Sequence, residues 1–102
     1  MTGKPYYTDY ARHIFRYYIR HRDDKPLIFH TDAEKLNFGA AQRALGRMIA
    51  SERVIMEDVY LLPSDMRTSV QTIAERYKTS DNNIWQIMNR AEKLVAKERG
   101  LI

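Results

Sequence analysis

The chain of 102 residues carries 17 Lys and Arg against 13 Asp and Glu, a net charge of +4, with 44% hydrophobic residues and no cysteine. A polymer of this length builds one hydrophobic core and no second independent domain, and the lack of cysteine excludes disulfide scaffolds, thiolate metal centres and a cysteine nucleophile. No run approaches the ~20 apolar residues of a membrane span, and residues 1–7 lack the apolar segment of a secretion signal, so no membrane partner and a cytoplasmic location are expected.

The charge is unevenly spread. Residues 1–30 hold six Lys/Arg against three Asp/Glu, residues 31–63 four against five, and residues 64–102 seven against five. A basic surplus at both ends permits weak attraction to phosphates.

From Thr8 to His21, the residues Tyr7, Tyr10, Ala11, Ile14, Phe15 and Tyr18 recur at three- and four-residue spacings, which predicts a first helix with a buried aromatic face. Thr8 is the expected N-cap, with Asp9 in the first turn. At this spacing Tyr6, Tyr7, Tyr10, Tyr17 and Tyr18 read as core rather than as base-stacking platforms. The opposite face carries Arg12, Arg16 and Arg20 at i, i+4 and i+8, a basic ridge that is either a solvated face or an auxiliary phosphate contact. Residues 22–30, with Pro26, read as a loop.

Thr31 followed by Glu34 is a capping box for a second helix, with Leu36, Ala40, Ala41, Ala44, Leu45 and Met48 on its apolar side. Ser51 is the expected cap of a third helix through Val54, Ile55, Met56, Val59 and Tyr60. A strand over residues 53–62 is the alternative, disfavoured because Glu57 and Asp58 break the apolar run. Residues 63–65 form a turn, and Thr68 or Ser69 caps a short fourth helix through Val70, Ile73, Ala74 and Tyr77. Ser80, with Asn83 three residues on, starts a long fifth helix whose buried side holds Ile84, Ile87, Met88, Ala91, Leu94 and Val95. Gly100 follows Lys97 and Arg99 as a helix C-terminus requires. The fold class is therefore all-α, about five helices in a single domain over residues 1–102, with residues 1–50 supporting a helix-turn-helix within residues 51–102.

Catalysis finds no footing in the pattern. His13, His21 and His30 lie in the first thirty residues without a metal-ligand motif, and four glycines supply no phosphate-cradling loop. His13 and His21, eight residues apart on one helix, read as solvated histidines before they read as a metal pair. Neither an enzyme nor a cofactor or metal is expected.

Residues 70–91 fit a helix-turn-helix. Ile73, Tyr77, Ile84 and Ile87 occupy the apolar positions, Ala74 is the small residue at the crossing, and the turn falls at Lys78 and Thr79. Lys78 stands where glycine is commonest, and Thr79 where an aliphatic residue is usual. The outer side of the last helix then shows Asn82, Asn83, Gln86, Asn89 and Arg90, side chains able to bond adenine or guanine edges in a major groove. Arg76, Lys78, Ser80, Lys93 and Lys97 are positioned as phosphate contacts, and three to five of them imply a log–log salt slope of roughly −3 to −4. The same residues also suit an ordinary solvated face. Trp85, the single tryptophan, flanks this side, where it either packs on an earlier helix or touches DNA or a protein partner.

The run from Ser51 through Val54 and Ile55, then residues 73–77, Ser80, Ile84, Gln86, Ile87 and residues 90–94, resembles the fourth region of bacterial sigma factors, a promoter-reading helix-turn-helix. The whole chain also resembles short sigma-like proteins of phages and mobile elements, which pair an aromatic N-terminal helix, here residues 6–10, with a terminal segment like residues 96–102, Ala-Lys-Glu-Arg-Gly-Leu-Ile. The resemblance implies a sequence-specific transcriptional regulator that binds double-stranded DNA and leans on RNA polymerase or a resident sigma factor. A protein-interaction module that never touches DNA, and a ring-forming adaptor of the small-terminase type, are the alternatives.

Overall fold

The computed structural model describes residues 4–102. Five helices follow in chain order: α1 Thr8–His21, α2 Asp32–Gly46, α3 Ala50–Leu61, α4 Met66–Arg76 and α5 Asp81–Arg99, with no strand among the described residues. The segment open to a strand reading is helical because Met56 and Val59, one turn apart, are the residues it buries.

Three helix starts differ from expectation, each for a local reason. Thr8 lies inside α1 and is buried, because its N–H already bonds the Pro5 carbonyl at 3.1 Å and the first turn closes from Tyr7. Ile49, not Ser51, precedes α3, since the Arg53 N–H reaches the Ile49 carbonyl at 3.0 Å. Asp65 caps α4: its carboxylate accepts the Thr68 N–H at 2.8 Å and the Thr68 hydroxyl at 3.2 Å, so Thr68 donates to the cap instead of being it. That charge-assisted pair holds the Asp65 carboxyl below the usual carboxylate range. Thr31 caps α2 as expected, accepting the Glu34 N–H at 3.1 Å, while the Glu34 carboxylate bonds the His30 N–H one residue upstream of the capping-box position.

Four helices supply the largest fully buried side chains: Ile14 and Phe15 from α1, Met56 from α3, Ile73 from α4, Ile84 and Met88 from α5. Each contributes about 1.5–3 kcal/mol by leaving water. The second helix adds Phe38 and Leu45 and three small residues. Ala40, Ala41 and Ala44 are fully buried and let α2 lie close against α5, the most extensive helix pair in the molecule. The expected apolar stripe of α2 holds at Ala40, Ala41, Ala44 and Leu45 and departs at the start of the helix, where Leu36 is 54% exposed while Asn37 is buried, accepting from Arg99 Nε at 2.6 Å and donating to the Tyr10 hydroxyl at 3.0 Å. The tyrosines are not core: Tyr6 and Tyr10 are exposed, and Tyr7, Tyr17 and Tyr18 are half-buried at the margin, while Ile19 completes the buried face of α1. No helix among the described residues is long and apolar enough to cross a membrane.

Candidate nucleic-acid interface

The segment joining α4 to α5 decides how α5 is presented. At the end of α4 the Lys78 N–H bonds the Glu75 carbonyl at 3.2 Å and the Thr79 N–H reaches back to the Ala74 carbonyl at 2.9 Å, the paired bonds of a Schellman ending. That ending needs a left-handed residue, and Lys78 supplies it at φ 55°. At the end of α5 the same pair of bonds runs from Gly100 to Lys97 and from Leu101 to Ala96, with Gly100 at φ 82°. Glycine adopts this conformation at no steric cost, whereas a lysine pays about 1 kcal/mol for it. Two residues later Ser80 Oγ accepts the Asn83 N–H at 3.1 Å and starts α5. The turn therefore projects one lysine charge next to the first turn of α5.

Along α5 the residues Asn82, Gln86, Asn89, Lys93 and Lys97 fall at spacings of four, three, four and four, forming one exposed stripe opposite Ile84, Met88, Ala91 and Val95. All five expected base contacts, Asn82, Asn83, Gln86, Asn89 and Arg90, are exposed, as are Arg76, Lys78, Ser80, Lys93 and Lys97. They are not equally available. The Asn83 amide donates to Thr79 Oγ1 at 3.0 Å, Arg90 donates to the Glu52 carboxylate of α3 at 2.6 Å, and Arg76 lies 3.8 Å from Asp58. Asn89 stands at the mouth of a cleft against the start of α1 that Glu92 and Arg12 also line. Lys78, Lys93 and Lys97 form no ion pair among the described residues. Lys97 is about 22 Å along the axis from Asn82, beyond the reach of a helix end seated in a groove about 12 Å wide.

Comparison with protein-family models, with curated proteins and with solved structures finds no match to this chain.

The basic ridge of α1 is not the uniform face that its spacing suggests. Arg12 turns inward: its side chain is 18% exposed, its Nε donates to Glu92 Oε2 at 2.9 Å, and its guanidinium carbon lies 5.6 Å from the centre of the Trp85 ring. Arg16 and Arg20 remain exposed. Trp85 is accordingly half-buried, packed on the core edge under Arg12.

The residue that sequence reasoning missed is Glu92, whose side chain is 3% exposed between α1 and α5. Burial pushes its carboxyl above the ordinary carboxylate range, and the Arg12 bond and charge pull only partly against that. Its place one turn after Met88 and beside Ala91, on the apolar side of α5, was the signal available. Nearby, the Tyr60 hydroxyl is buried with no hydrogen-bond partner among the described residues, and desolvation with the Glu92 charge holds the phenol protonated. No group of three His, Asp or Glu side chains able to hold a metal occurs among the described residues; His13 lies against Tyr10, and His21 bonds Asp24 at 2.8 Å.

Proposed function

We propose that this protein binds double-stranded DNA, laying the first half of α5 in the major groove as the second element of a helix-turn-helix. In this reading Asn82 and Gln86 meet base edges first, because their amides are exposed and unbonded among the described residues. Asn89 stands beside the cleft at the start of α1, and Asn83 and Arg90 join once local partners are released. For Arg90 that means an exposed pair with Glu52, worth about 0–1 kcal/mol, which a bidentate bond to guanine exceeds. Lys78 and Lys93 hold phosphates, Ser80 and Arg76 stand at the flank, and Lys97 lies beyond the groove. Arg12 has no part in the interface.

The observation that carries the reading is the exposed amide and lysine stripe of α5, placed directly after a turn that keeps a strained lysine beside it. We further infer a role as a non-enzymatic, cytoplasmic regulator of transcription related to sigma region four and of phage or mobile-element type, with RNA polymerase or a sigma factor as protein partner. Measuring affinity for duplex DNA against salt tests it. Two to three phosphate contacts give a log–log slope of roughly −2 to −3, and a slope near zero, or no duplex bound at low salt, overturns it.

A second reading has one observation in its favour. Leu27, Phe29, Leu36, Phe38 and Gly39 line an apolar groove of about 790 Å³ between the α1–α2 loop and α2, away from the α5 stripe. A protein-interaction module would dock a partner there.

A further inference from the structure

A separate cleft of about 340 Å³ lies where α1 meets the end of α3. Ile19, Tyr60 and Leu62 form its apolar wall, Leu61 stands exposed at its edge, and Arg16 and Arg20, one turn apart on α1, flank it. Several other arginines are paired, Arg12 with Glu92, Arg22 with Glu57 and Arg90 with Glu52, whereas Arg53 and Arg67 form no ion pair among the described residues. Arg16 and Arg20 likewise form no ion pair among the described residues. Arg16 is moreover held in place, its guanidinium carbon 5.9 Å from the centre of the Tyr60 ring.

We infer that this cleft is a docking site for an acidic peptide segment of a partner protein, one that offers a large apolar side chain flanked by Asp or Glu. Two guanidinium groups of fixed charge, each able to take a carboxylate in bidentate fashion, give the site its preference for acidic ligands. The apolar wall between them supplies a seat for one aliphatic or aromatic side chain, the arrangement of a buried anchor with a charged rim. A duplex backbone carries charge but nothing to fill that wall. The ridge is also interrupted on the α5 side, where Arg12 is tied to Glu92 and Trp85. The site thus stands apart from the α5 stripe and does not depend on DNA binding.

The test uses the full chain and a fluorescein-labelled peptide of sequence Glu-Asp-Glu-Leu-Phe-Glu-Asp, read by fluorescence anisotropy, with duplex DNA titrated in parallel. Saturable binding with Kd below about 1 mM is expected. The Arg16→Glu/Arg20→Glu variant should weaken it at least about tenfold, and Leu61→Asp about as much, with helical circular dichroism unchanged in both because the substituted side chains are exposed. No saturable binding, or binding indifferent to the double charge reversal, overturns the inference. Equal affinity for a peptide with alanine in place of Leu-Phe overturns it too, since charge alone would then be acting. If the double variant loses affinity for duplex DNA and not for the peptide, the ridge belongs to nucleic acid and the inference fails. Failure of wild-type protein to bind duplex while it binds the peptide would instead reject the reading of α5.

Discussion

Replacing Arg12 with alanine removes the one ion-pair partner of Glu92 among the described residues and leaves a carboxylate 3% exposed between α1 and α5. Breaking a buried ion pair from one side costs about 3–5 kcal/mol, and because Arg12 keeps some solvent contact the lower end, about 3 kcal/mol near pH 7, is expected. For a chain of this size that corresponds to a fall in Tm of about 12–20 °C. The pH dependence carries the diagnosis. Burial already holds the Glu92 carboxyl above its ordinary range against the pull of Arg12, so without Arg12 it rises further. A carboxyl raised in the folded state favours folding fully below its unfolded value and loses that contribution as pH rises through the folded value. The variant's deficit should therefore be largest near pH 7 and smaller near about pH 5. Urea unfolding followed by helical circular dichroism measures it, since Trp85 emission responds directly to the loss of Arg12. Glu92→Gln in the same background should recover most of the loss. A deficit below about 1 kcal/mol that is equal at both pH values would refute a buried, uncompensated carboxylate.

Lys78→Gly should stabilise the fold by about 0.5–1 kcal/mol in the same urea assay, by relieving the left-handed backbone, and should lower the DNA salt slope by about one. Gly100→Ala should destabilise by about 1 kcal/mol although its Cβ meets nothing within 4 Å, because the cost is conformational; no change would mean that the ending of α5 can relax. Ser80→Ala removes the acceptor of the Asn83 N–H and should cost about 1 kcal/mol, with Ser80→Asp retaining most of the stability.

What the sequence shows of this fold follows how local each determinant is. The extents of α1 and α5 and the ending at Gly100 are legible because periodic apolar residues, the Ser80 cap and a C-terminal glycine act within one or two turns. The Asp65 cap was equally local but was outcompeted by two hydroxyl residues just after it, and the observed bond makes Thr68 the donor. The exchange at the start of α2, which exposes Leu36 and buries Asn37, follows distant partners, Tyr10 and Arg99, which periodicity does not register. Arg12 shows the limit most plainly. At i, i+4, i+8 with Arg16 and Arg20 it reads as a surface ridge, yet its partner Glu92 is 80 residues away. Local spacing cannot separate an arginine in water from one paired across a helix interface. At the turn the opposite holds: Lys78 in a place that favours glycine already marked the position, and φ 55° gives the reason.

Selection of bound sequences from a random duplex pool, repeated with Asn82→Ala/Gln86→Ala, tests the reading of α5 most directly. Wild-type protein should enrich a defined site, and the double variant should keep its stability and its general affinity while losing about tenfold or more of the preference for that site. Enrichment of no sequence, or the same sequence enriched equally by the variant, would contradict DNA recognition by the exposed stripe of α5.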